Sequence, residues 1–130
     1  MKIFKKMLTA HKIKVFQSLD KKKFRQKYNL FLVEGNKTIK EIPSSRYKIN
    51  EIYSVNPDEF SVENVHITPV SPTELKKISF LQNPKDSVAV CELREEKTLP
   101  DFSIQLILDG IQDPGNLGTI IRLADWFGIE

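Results

Sequence analysis

The stretch that most constrains the fold of this 130-residue sequence is residues 104–128. Residues 104–108 are almost continuously apolar, which is typical of a parallel strand covered on both faces. Turn-forming residues follow at positions 109–115, and Asn116 stands where a helix N-cap belongs. Apolar residues then recur at helical spacing until Gly128 supplies a stop. The segment therefore predicts a buried strand, a tight polar loop and a helix.

The predicted helix carries a polar stripe opposite its apolar face. Thr119, Arg122 and Asp125 are three residues apart, so they share one side of the helix. Side chains on a helix lean toward its N-terminus, which directs Arg122 back toward the loop at residues 113–116. Two interpretations stay open on this pattern alone. Arg122 either pairs with Asp125 on an ordinary helix surface or serves a site at the loop.

The residue string LDGIQDPGNLGTIIRLADWFG at positions 108–128 favours the second interpretation. It closely resembles the first signature motif of the SpoU/TrmH-type RNA 2′-O-ribose methyltransferases, which are S-adenosylmethionine enzymes of the trefoil-knotted SPOUT class. In that family the Asn and the Arg six residues later belong to the active site, so the resemblance implies catalytic roles for Asn116 and Arg122. It also implies S-adenosylmethionine as cofactor, a homodimeric full-length protein, and a cofactor site contributed by motifs expected beyond Glu130.

Charge is distributed unevenly along the chain. Residues 1–50 hold 14 Lys and Arg against three Asp and Glu, a net charge of +11, whereas residues 51–130 carry −8. A basic half joined to an acidic half indicates that the first 50 residues face a polyanion. A well-solvated lysine-rich surface is the alternative.

Residues 21–41, KKKFRQKYNLFLVEGNKTIKE, carry a second resemblance. They resemble the start of the small substrate-binding domain that precedes the catalytic domain in many members of the same family. Arg25, Glu34 and Gly35 match its pattern, and Lys14 fits the lysine of its preceding helix. That domain resembles ribosomal proteins that bind kinked RNA, which implies structured RNA, ribosomal or transfer, as the partner. The basic residues predicted to contact RNA are Lys14, Lys21, Lys22, Lys23, Arg25 and Lys27.

Three side chains in this region allow more than one role. Phe24 and Tyr28, interleaved with cations, could stack on bases, or they could be core residues at i,i+4 spacing. Glu34 could be catalytic, but a carboxylate at a strand end beside lysines more often forms a structural ion pair or a helix cap.

The remaining pattern predicts an α/β fold in two parts. Alternating signals through residue 93 indicate a small α/β sandwich, with strands at 31–33, 49–55, 65–67 and 87–93. Helices are expected at 36–42 and 71–80, with Asp20 capping a further one and Ser71 with Glu74 forming a capping box. The sequence thus divides into an RNA-binding domain at 1–93, a charged linker at 94–101, and an incomplete SPOUT domain at 102–130 that begins with a β-α unit.

Several classes of protein are disfavoured by composition. No apolar run approaches the ~20 residues of a membrane helix. One cysteine, Cys91, excludes an internal disulfide, fits a cytoplasmic protein, and is expected to be a small buried hydrophobe. Two distant histidines and one cysteine make no metal site. The resemblance thus implies a segment of an RNA 2′-O-methyltransferase that is inactive alone. Two alternatives remain, an RNA-binding module without chemistry and, more weakly, a phosphate-binding loop at 113–118.

Overall fold

The computed structural model describes residues 7–94 and 104–129. The chain divides into two compact units, residues 1–95 and 96–130. The helices of the first unit are α1 (Ala10–Ser18), α2 (Lys22–Tyr28), α3 (Asn36–Glu41) and α4 (Pro72–Lys76), and its strands are β1 (Leu30–Glu34), β2 (Ile49–Ser54), β3 (His66–Pro69) and β4 (Ser87–Glu92). Short 3-10 turns at Ile42–Ser44 and Pro57–Glu59 complete it.

The four strands form one mixed sheet in the order β1-β4-β2-β3. β4 runs antiparallel to both β1 and β2, and β2 pairs in parallel with β3. Successive strand residues point to opposite faces, so β4 contributes Val88 and Val90 to one apolar cluster and Ala89 and Cys91 to the other. This central strand is therefore covered on both sides.

The two clusters define three layers. On one face, α1 and the α4 region pack on the sheet through residues that include Phe16, Leu19, Leu75 and Ile78. On the other face, α3 and the turn after it contribute Ile39 and Ile42. The expected α/β sandwich is confirmed, and the four predicted strands lie within one or two residues of their expected positions.

The predictions of helix ends in the first unit had mixed outcomes. The capping box forms as predicted, since Ser71 accepts from the Glu74 amide and Glu74 accepts from the Ser71 amide. The helix after it ends at Lys76 instead of reaching Phe80. Asp20 is not a cap, because the N-cap of α2 is Lys21, which makes no side-chain capping bond.

In the second unit the predicted strand at 104–108 is wrong. These residues are exposed and form no strand. None of the strands in the described ranges forms hydrogen bonds with them. A buried parallel strand needs hydrogen-bonding neighbours as well as apolar side chains.

The helix that follows, α5 (Pro114–Trp126), is present. Its N-cap is Asp113 instead of Asn116: the Asp113 carboxylate accepts from the Asn116 amide at 2.7 Å. Its end is as expected. Gly128 has φ +66°, its amide bonds to the Asp125 carbonyl, and the Ile129 amide bonds to Ala124, which together make a Schellman motif.

Candidate nucleic-acid interface

The two N-terminal helices concentrate positive charge in the first unit. Residues 10–29 contain seven Lys and Arg and a single acid, Asp20. Thr9 caps α1 by accepting from the Lys12 amide, and Asn29 ends α2 with φ +55°. The two helices are separated by three residues. The sequence therefore places its densest run of cations on one short helical hairpin.

Arg25 uses part of its guanidinium to hold this hairpin together. Its Nη1 atom donates to the carbonyls of Leu19 and Asp20, both at 2.8 Å. These carbonyls lie at the end of α1, so Arg25 fixes the turn that orients α2. Its predicted contact with RNA stays a prediction, but any such contact must come from the nitrogens that the turn does not use.

Lys12 also serves the fold, a role that its place in a run of basic residues does not indicate. Its ammonium donates to Glu51 Oε2 at 2.7 Å and to the Tyr53 hydroxyl at 3.0 Å, and that hydroxyl donates to Glu51 at 2.9 Å. Tyr53 is fully buried, and its pKa is raised by burial first and then by the hydrogen bond and charge of Glu51. Lys12 thus fastens α1 to the sheet.

The other five cations of the hairpin remain available. They are exposed, and within residues 7–94 none of them forms an ion pair; they are Lys14, Lys21, Lys22, Lys23 and Lys27. Their role in binding RNA is the prediction that the structure leaves open. Five unpaired ammonium groups within 14 residues make a surface suited to a polyanion.

Phe24 and Tyr28 lie on α2 outside both apolar clusters of the first unit. No residue of α2 is buried. The two rings are stacked with an interplanar angle of 18° and centroids 6.4 Å apart. Lys23 Nζ lies 6.0 Å from the Phe24 centroid, and Lys27 Nζ lies 5.4 Å from that of Tyr28. Neither ring belongs to the core, so the core interpretation of their spacing does not hold.

Glu34 is structural, although neither an ion pair nor a helix cap accounts for it. Its carboxylate accepts from the Ser79 hydroxyl and from the Phe80 amide, the latter at 2.8 Å. It therefore ties the end of β1 to the loop after α4. Gly35 follows with φ +95°, a conformation that side-chain-bearing residues rarely adopt.

The two predicted catalytic residues lie on one helix of the second unit. Asn116 is in the first turn of α5, and Arg122 follows on the same helix, exposed. Within residues 104–129 Arg122 forms no ion pair, so the proposed pairing with Asp125 is not seen. Thr119 donates to the Gly115 carbonyl at 3.0 Å. Large apolar side chains of α5 are open to solvent, including Ile121, Leu123 and Trp126.

We also searched the described residues for a metal site, a membrane-spanning helix and a reactive cysteine. Residues 7–94 and 104–129 hold no group of His, Cys, Asp and Glu able to bind a metal ion. No helix in these two ranges has the length and apolar content needed to cross a membrane. Cys91 is buried as expected, and burial raises the pKa of its thiol to about 11. It is therefore a poor nucleophile near neutral pH.

Comparison with known proteins places this geometry among RNA-modifying proteins. Residues 10–89 match the family model of the MRM3-like substrate binding domain. The 23S rRNA (guanosine(2553)-2′-O)-methyltransferase RlmP of Bacillus subtilis is 33% identical over 124 residues, which cover 92% of this chain and 49% of that protein. A TrmH-family protein of Porphyromonas gingivalis superposes with a TM-score of 0.78 at 33% identity, covering 95% of this chain and 51% of its own.

A third match carries a ligand. The AdoMet-bound rRNA methyltransferase of Sinorhizobium meliloti has a TM-score of 0.67 and 28% identity, covering 92% of this chain and 49% of that one. The present chain therefore spans about half the length of the relatives it matches. All three agree with the resemblance carried by residues 21–41 and 108–128.

Proposed function

We propose, since this chain belongs to the family of MRM3-like substrate-binding domains, that its first unit binds structured RNA for a SpoU/TrmH-type 2′-O-ribose methyltransferase. The observation that carries the proposal is the hairpin of α1 and α2, which lies within the matched residues 10–89. It presents five exposed lysines that form no ion pair with any other residue of the described ranges. We refer to Lys14, Lys21, Lys22, Lys23 and Lys27 as the lysine surface.

Binding by this surface is expected to come mainly from phosphate contacts. Each phosphate neutralised releases condensed counterions, so the logarithm of the binding constant falls linearly with the logarithm of salt concentration, with a slope of about −0.7 to −0.9 per contact. Lysine suits this task because its compact ammonium meets a phosphate without strict geometry. The lysine surface therefore supplies affinity and placement more than sequence recognition.

The test compares two matched pairs of lysines. Lys22→Gln/Lys23→Gln removes two charges from α2, and Lys76→Gln/Lys77→Gln removes two from the end of α4, in the acidic part of the sequence. We expect the α2 variant to lose affinity for an RNA hairpin and to flatten the salt slope by about 1.4 to 1.8. The α4 variant should keep both. Equal effects of the two variants, or none from the α2 variant, would refute the assignment.

Catalysis is proposed for the full-length protein, with Asn116 and Arg122 in its active site. The reacting 2′-hydroxyl must pass its proton to a base or to water as the methyl group arrives in line, and a fixed positive charge beside it favours the alkoxide. Arg122 suits this role because its guanidinium remains charged at all working pH values and is not committed to an ion pair within residues 104–129. Asn116 would hold the loop and the adjacent RNA.

Arg122→Ala in the full-length protein should lower the rate of methyl transfer by about 10²- to 10⁴-fold and leave RNA affinity nearly unchanged. Asp125→Ala, on the same helix, is the matched control and should keep most activity. Near-normal turnover of Arg122→Ala would instead assign the residue to the helix surface.

The cofactor, assembly and location belong to this proposal as well. S-adenosylmethionine would supply the methyl group, as its presence in the Sinorhizobium meliloti relative supports. The described side chains of the second unit do not make a cradle for it, since none of residues 104–129 is buried. We propose a homodimeric, cytoplasmic full-length protein.

A further inference from the structure

Helix α2 keeps two aromatic residues that contribute nothing to the core. Phe24 and Tyr28 lie outside both apolar clusters, and α2 buries no residue. Tyr28 leaves 37% of its surface exposed. Phe24 is half-buried, but neither ring belongs to an apolar cluster, so the packing of the core does not account for the pair.

The surroundings of the two rings identify the chemistry they can bind. The rings are nearly parallel, with an interplanar angle of 18°, and present flat π surfaces at the protein boundary. Lys23 and Lys27 lie 6.0 Å and 5.4 Å from the ring centroids. A flat ring flanked by ammonium groups matches a nucleotide, because the base stacks on the ring and the phosphates on either side meet the cations.

We propose that Phe24 and Tyr28 form a stacking platform for one unpaired base of the RNA. This inference rests on the proposed function and narrows its substrate class to RNA with a bulged or looped-out nucleotide. A fully paired helix presents no base face at its surface, whereas single-stranded loops and bulges do. Lys23 and Lys27 then move from the rings to the flanking phosphates.

The experiment uses the 130-residue chain and two RNA hairpins that differ only by one bulged 2-aminopurine. Wild-type protein should prefer the bulged hairpin, and the fluorescence of the bulged base should change as it stacks. Tyr28→Leu keeps an apolar side chain and removes the ring. It should weaken binding of the bulged hairpin by about 5- to 150-fold, the range for loss of one stacked base, and leave the paired hairpin unaffected.

Two controls separate stacking from other causes. Tyr28→Phe retains the ring and should bind like the wild type. Tyr47→Leu removes another exposed tyrosine, one that meets Phe31 edge-on at 5.3 Å, and should not change the preference for the bulge. Folding of each variant is checked by circular dichroism, and the absence of buried residues in α2 predicts that Tyr28→Leu folds normally.

The outcomes distinguish this inference from the proposed function. An equal loss for both hairpins, an unchanged preference in Tyr28→Leu, or equal binding of both hairpins by the wild type would overturn the stacking platform while leaving RNA binding in place. Failure of the wild type to bind either hairpin would overturn both. A change of oligomeric state in Tyr28→Leu without loss of bulge preference would assign the rings to a second copy of the chain.

Discussion

Replacing Lys12 by Met should destabilise the first unit more than any other single lysine replacement on the α1–α2 hairpin. Its ammonium lies 2.7 Å from Glu51 Oε2, and the two side chains are only 28% and 12% exposed. Glu51 is a buried residue of β2, two positions before the fully buried Tyr53. Lys12→Met therefore leaves a largely buried carboxylate with one remaining hydrogen bond, from the Tyr53 hydroxyl.

The magnitude follows from this degree of burial. Removing one partner of a fully buried pair costs about 3–5 kcal/mol, and an exposed pair contributes under about 1 kcal/mol. The intermediate exposure of this pair places Lys12→Met at about 2–3 kcal/mol. Glu51→Gln should cost less, about 1 kcal/mol, because the freed ammonium can extend into water on its flexible stem. The double variant should cost less than the sum, since the residues are coupled.

Urea unfolding followed by circular dichroism measures these differences as shifts of the midpoint at constant slope. Hydrogen exchange of the β4 amides assigns the change to the first unit. Lys48→Met is the matched control, because Lys48 meets Glu92 at 2.9 Å but is largely exposed, and it should change stability little. The reasoning would be refuted if Lys12→Met cost no more than Lys48→Met, or if Glu51→Gln were the more damaging change.

Three further outcomes follow from single residues. The pKa of Tyr53 is raised above its usual value of 10, so the unfolded chain loses this proton at a lower pH than the folded protein does. The free energy of unfolding should therefore decrease as pH rises above 10. Urea titrations at alkaline pH should show a smaller decrease for Tyr53→Phe. Cys91, buried with a thiol pKa of about 11, should react with a thiol reagent only at the rate of unfolding, and rapid labelling of native protein would contradict its burial. Gly35→Ala should cost about 1–3 kcal/mol through its φ of +95°, although a Cβ there would lie 3.7 Å from Lys85 Cγ without a clash; an unchanged urea midpoint would argue against this strain.

The sandwich was predictable because its signals are local and redundant. The continuous apolar run of β4 and the Ser71–Glu74 capping box each indicate an element through neighbouring residues. The strand prediction for residues 104–108 failed because an apolar run indicates burial but does not show which strand would pair with it. Asn116 and Asp113 are both good capping residues, and the proline at 114, which suits the first helical position, decides for Asp113.

The basic character of the candidate interface could be predicted from the sequence, but the contacts that each cation makes could not. Lys12 and Lys14 are two residues apart on α1, yet the first bonds to Glu51 and the second is exposed. That difference depends on where Glu51 and Tyr53 lie 39 and 41 residues further along the chain. Arg25 likewise binds carbonyls that only the turn between α1 and α2 brings within reach. Tertiary contacts of this kind leave no mark in the run of lysines itself.

Amide chemical-shift mapping of the chain with an RNA hairpin that carries one bulged nucleotide tests most directly whether the α1–α2 hairpin is the RNA-binding surface. The largest shifts should fall on Lys14 and on residues 21–29, with little change in α4 and in the buried strand β4. Raising the salt concentration should reverse the shifts on the lysine surface together, because phosphate contacts dominate the affinity. Shifts concentrated on α4 or confined to α5, with residues 21–29 unchanged at saturating RNA, would contradict the assignment.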